Sequence, residues 1–105
     1  MKEVLRGKEI SNMTGDTVVG EGSIETLDLR LATWLYLNSA NLAKIIPTES
    51  SRCSFTFKMN SSKLEKLMEQ WVNGCPTADV REVINAYLYL VHRGKDILQA
   101  ARNIQ

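Results

Sequence analysis

Cys53, Cys75 and His92 are the side chains best suited to nucleophilic or metal chemistry. As a set they supply three soft ligands at spacings that match no zinc pattern. A Cys–His nucleophile pair would need one of the thiols to meet His92 in space. Cys53 alternates with Phe55 and Phe57 and is expected on a dry face, where thiols are inert. Cys75 lies in a loop and is the more accessible thiol. Glu65 and Glu69 stand four apart on an expected helix, a spacing that suits pairing with neighbouring lysines better than acid–base work. The stretch GDTVVGEGS, residues 15–23, has the glycines of a phosphate loop, but Glu21 occupies the position where a lysine must neutralise phosphate. The residues therefore assign no catalytic group, no cofactor-binding group and no metal site. The expectation is a protein that is not an enzyme and takes no cofactor.

Binding chemistry has more candidates. In SFTFK, residues 54–58, two aromatics stand two apart, as on the strands where RNA-binding domains stack bases. Exposed rings would be needed for that, whereas the amphipathic helices that follow need these rings as core. Lys44, Arg52 and Lys58 belong to one expected sheet face, with Lys63 and Lys66 nearby. They are the candidate contacts for nucleic acid, through phosphate. The large amphipathic aromatics Trp34, Tyr36, Tyr87 and Tyr89 are candidates for a protein interface, because such residues combine apolar area with a polar handle. Tyr87 and Tyr89 cannot face the same way on one helix.

The elements that position these groups follow from periodicity. Residues 26–39, TLDLRLATWLYLNS, read as a helix capped by Thr26, although TLDLRL alone alternates like a strand. LAKII, residues 42–46, reads as a strand stopped by Pro47, and residues 52–59 as its antiparallel partner. Cys53, Phe55, Phe57 and Met59 share the dry face, to be roofed by the helices that come after; Arg52, Ser54, Thr56 and Lys58 share the wet one. Beyond Asn60 the rhythm changes to i, i+3, i+4, i+7, i+8 through Leu64, Leu67, Met68, Trp71 and Val72. Ser62 and Glu65 fit a capping box, and Asn73-Gly74 ends this helix. Thr77 is the expected cap of a last helix, for which His92-Arg93-Gly94 has the chemistry of an end, while Ile97, Leu98 and Ala101 continue the rhythm and favour a run to about Arg102 with Gly94 marking a close contact.

The result is an α+β domain in the order α-β-β-α-α, an antiparallel hairpin packed on one face by helices. Residues 1–22 form a flexible or partly ordered N-terminal arm in which TVV could add a short strand. Residues 23–105 form the single domain. A lone hairpin is marginal, so the sheet needs extension by that arm or by a second subunit.

Composition narrows the setting. Thirteen Lys and Arg nearly balance twelve Asp and Glu, for a net charge of +1, which argues against broad electrostatic binding. No segment approaches the ~20 apolar residues of a membrane span, so no membrane role is expected. With reduced cysteines, the cytoplasm is the expected location.

TLDLRLATWL (residues 26–35), FTF (55–57), and WVNG followed by DVREVINA (71–86) occur in this order. In these motifs the chain resembles a domain-of-unknown-function family of small uncharacterised bacterial and phage proteins, whose pattern is T-x-D-L-x-L-A, F-x-F and aromatic-x-N-G. The family often has glycine in the turn after the first helix; here NSANLA, residues 38–43, offers Asn, which also enters the left-handed region. The resemblance implies a phage or mobile-element setting and carries no catalytic residue. Together these readings give a non-catalytic module acting through protein–protein contacts as a homodimer and with an unidentified protein partner. A phage accessory or anti-defence role fits it; a small nucleic-acid-binding protein is the alternative.

Overall fold

The structure is a computed structural model that describes residues 16–49, 52–74 and 77–104. Among these residues four antiparallel strands and three helices form two layers in the order β-β-α-β-β-α-α. The α+β class is as expected. The order differs because TVV and the first half of TLDLRL contribute a hairpin ahead of the first helix. β1 (Thr17–Gly20) and β2 (Ser23–Thr26) are joined through Gly22, whose φ of 75° suits glycine. The sheet order is β1-β2-β4-β3, so this hairpin supplies the extension that a lone β3–β4 pair needed. The arm expected over residues 1–22 thus has its last part in the sheet, while residues 1–15 lie outside the described residues.

Thr26 ends β2 and does not cap the helix. Its Oγ1 pairs with the Thr17 hydroxyl at 2.8 Å and accepts from the Asp28 N–H at 2.9 Å. Asp28 is the cap of α1 (Leu29–Leu37), accepting from the N–H groups of Arg30 and Leu31. A β-branched residue with a strand partner gains more in the ladder than at a helix end, so the cap falls two residues later. The turn after α1 has Ser39 at φ 68°; Asn38 stays at φ −93°. The left-handed residue is therefore the serine, one position beyond the asparagine the sequence offered.

β3 (Asn41–Pro47) and β4 (Cys53–Lys58) pair with a bulge between Leu42 and Lys44. That extra residue lets Leu42 and Ile45 both lie on the phenylalanine side, opposite Phe57 and Phe55. On β2, Ile24 and Thr26 stand opposite the same two rings. Phe55 and Phe57 are buried with Leu31, Leu35, Leu64 and Leu90, so they are core and not a stacking platform.

α2 (Ser61–Asn73) is capped by Asn60, whose side chain accepts from Ser62 and Lys63, and not by a Ser62 capping box. Gly74 closes it in the left-handed conformation at φ 83°. α3 (Val80–Ile104) is capped by Asp79, which accepts from Arg81 and Glu82, and not by Thr77. In both cases Asn or Asp takes the end instead of a Ser or Thr two residues away; Asp is the better cap than Thr77, while Asn60 and Ser62 are equal in kind. α3 runs through Gly94 without a break. There a Cβ would sit 3.6 Å from Cys53 Sγ and 3.8 Å from Phe55 Cζ, so the glycine brings helix and strand together. The Cys53 thiol donates to the Gly94 carbonyl at 3.4 Å.

The helix roof differs from the expected one. α1, which precedes the phenylalanines, and α3 make the main helix contacts with the sheet. α2 lies at the margin, with Leu64 its one buried side chain. Its start is fixed to the end of the sheet, because the Met59 N–H donates to the Gly22 carbonyl one residue before the cap. Ser54 and Thr56, expected on the wet face, are buried. Ser54 donates to Glu25 at 2.9 Å.

Candidate functional site

α3 is apolar over more of its circumference than one core can cover. Ala86, Leu90 and Gly94 face inward and are buried. A second stripe, about a quarter-turn away, remains exposed: Val80 (72%), Ile84 (52%), Tyr87 (43%) and Leu88 (44%). Their spacing of i, i+4, i+7 and i+8 puts them on one side of the helix. A surface helix that has buried its core stripe normally presents charge at this angle. Large exposed apolar patches rimmed by polar residues mark interaction surfaces.

This stripe borders a cleft of about 400 Å³ between α1 and the first half of α3, lined among others by Trp34, Leu37, Trp71, Val83 and Ile84. The Trp34 and Trp71 rings meet at a centroid distance of 5.6 Å and an angle of 31°, closing its far wall. Tyr87 and Arg30 separate it from a second cleft of about 490 Å³, whose apolar floor is Phe55, Leu90, Val91 and Leu98. The two share both dividing residues and form one groove along α1 and α3. Arg30 rests on Asp28 at its edge, and that carboxylate pushes the guanidinium pKa up.

The four candidate interface aromatics divide between two places. Trp34, itself buried, and Tyr87 belong to the groove. Tyr36 and Tyr89 stack on the other side of α3 at 5.2 Å and 23°. Arg93 lies over the Tyr89 ring at 5.8 Å and donates to its hydroxyl at 2.9 Å. Together with Lys44 these three line a polar cleft of about 420 Å³. Val83, Ile84 and Leu88 line the groove and Val80 extends the stripe beside it; the interface candidates omit all four. Their signal in the sequence is arithmetic: α3 has more apolar positions than one face holds.

The basic candidates come together only in part. Lys44 pairs with Thr56, two residues before Lys58, so these two exposed lysines are diagonal neighbours on one sheet face, while Lys63 and Lys66 are exposed on α2. Arg52 turns to the edge, donating to Asp16 at 3.4 Å and to the Leu27 carbonyl at 3.1 Å. Arg52 and Lys58 are six residues apart along an extended strand, about 20 Å. Glu25, on the sheet face beside them, interrupts any positive field.

Cys53 is buried, and burial pushes its thiol pKa up, away from the thiolate a nucleophile needs. Cys75 lies outside the described residues. Among the described residues no three His, Cys, Asp or Glu side chains gather in a way that could hold a metal ion. Nor is any helix there long and apolar enough to cross a membrane. Comparison with protein-family models, curated proteins and solved structures finds no match for the chain.

Proposed function

We propose that this chain is a non-catalytic binding module that works by protein–protein contact through the groove between α1 and α3. The observation that carries this reading is the exposed stripe Val80, Ile84, Tyr87 and Leu88 beside an apolar cleft. Val80 is largely exposed and Ile84, Tyr87 and Leu88 about half so, and a partner covering them would add a part of the roughly 1.5–3 kcal/mol that full burial of each is worth. In the cytoplasm, where Cys53 stays a free thiol, such a module suits the accessory or anti-defence roles implied by the resemblance to small phage and bacterial proteins. A photo-crosslinking residue at position 88, compared with one at exposed Lys63, tests the reading in cells. It calls for nuclease-resistant protein adducts at 88 and none at 63. No adduct at 88, or an adduct that nuclease removes, would refute it.

One feature favours a second reading, nucleic-acid contact: Lys44 and Arg93 flank the stacked Tyr36–Tyr89 pair in the polar cleft. Bases stack on such aromatics and cations hold their phosphates. That binding would weaken steeply as salt rises, whereas contact through the α3 stripe would not.

A further inference from the structure

We infer that the occupant of the groove is a second copy of this chain, with the two α3 helices antiparallel about a two-fold axis between Asn85 and Ala86. This rests on the docking reading above and names its partner.

The apolar positions on the outer side of α3 form a near-palindrome: Val80, Val83, Ile84, Tyr87, Leu88, Val91. Turned end for end about that axis, Val80 falls opposite Val91, Val83 opposite Leu88 and Ile84 opposite Tyr87. Every apolar residue of one copy then meets an apolar residue of the other, as a self-complementary two-fold interface requires. Val80, Ile84, Tyr87 and Val91 are also spaced 4-3-4, the rhythm of a helix–helix seam. Exposure sets the limits of that seam. Val80, Ile84, Tyr87 and Leu88 are exposed, Val83 and Val91 are half-buried, and Gly94 is covered by its own sheet. From Val80 to Val91 the seam runs three turns, about 16 Å.

Charge agrees with the direction. The start of α3 carries Asp79 and Glu82 against Arg81, a net negative charge, and its middle carries Arg93 and Lys95 against Asp96, a net positive one. Antiparallel copies place the acidic start of one beside the basic middle of the other; parallel copies would align like with like. A net charge of +1 per chain also leaves little long-range repulsion between copies.

Sedimentation equilibrium of the full chain, with disulfide mapping, decides the matter. Wild type should sediment at twice the 11.8 kDa of one chain. Ile84→Glu, at an exposed position, should sediment at the single mass with unchanged helical circular dichroism. In a Cys75→Ser background, Val80→Cys chains mixed with Val91→Cys chains should oxidise to species holding one of each. A monomeric wild type, an Ile84→Glu chain that still dimerises, or Val80–Val80 type homodimers would overturn the inference. A monomer whose position-88 crosslinker still captures a different protein would leave the docking reading standing and remove only the second copy.

Discussion

Thr56 Oγ1 is the one buried side-chain oxygen or nitrogen among the described residues without a hydrogen-bond partner, although Thr56 is only 8% exposed. A buried hydroxyl left unpaired costs about 1–3 kcal/mol. Thr56→Val should therefore raise stability by about 1 kcal/mol, read from the urea midpoint. Thr17→Val should lower it, because Thr17 shares its hydroxyl with Thr26. Cys53 gives a pH signature. Its thiol is harder to ionise in the fold than in the unfolded chain, so the unfolded state loses its proton first. Stability is then full below the ordinary thiol pKa of about 8.5 and declines as pH rises above it. Cys53→Ala should flatten that decline between pH 8.5 and 9.5 in urea titrations, and native Cys53 should resist thiol reagents until the chain unfolds.

At the scale of elements, Gly94 and Ser39 show what periodicity can and cannot fix. A Cβ at Gly94 would make ordinary van der Waals contact, so Gly94→Ala should gain about 0.5–1 kcal/mol of helix propensity. Gly94→Leu should lose about 1–3 kcal/mol by overpacking against Cys53 and Phe55. Ser39→Gly should gain up to about 1 kcal/mol by relieving a left-handed serine. Calorimetry of the three variants checks all of these. The helical stripe of α2 and the alternation of β4 were legible because each depends on side-chain period alone; for α3 the period beyond Gly94 competed with the end signal of His92-Arg93-Gly94. The caps were harder to place. Thr26, Ser62 and Thr77 each have a rival acceptor, Asp28, Asn60 and Asp79, on one side or the other. The β1–β2 hairpin was legible only as a short TVV strand, since β2 takes the residues that also read as a helix start. Which helix would roof the rings was not legible, because that depends on the Met59–Gly22 tie between distant residues. The groove showed itself as surplus apolar positions on α3, but a helix turned inward on two sides has the same sequence signature.

For the whole molecule, the account divides the apolar side chains into two sets. One fills a complete core between sheet and helices around Phe55 and Phe57. The other lies along the outside of α3, beside Trp34 and Trp71, and keeps about half or more of its surface in water. Fold and docking should accordingly separate under mutation. At a concentration low enough for wild type to be monomeric, Leu88→Glu should leave its stability within about 0.5 kcal/mol of wild type, while abolishing the crosslink from a photo-reactive residue placed at position 84. Leu90→Ala, at a buried site, should cost about 2–5 kcal/mol. Carbene footprinting of Ile84, Tyr87 and Leu88 tests the central claim most directly, comparing dilute pure chain with the same chain in the cells that express it. The account predicts strong labelling of all three when dilute and protection in the cell, with Lys63 labelled equally in both. Equal labelling of the three residues in both states would contradict it.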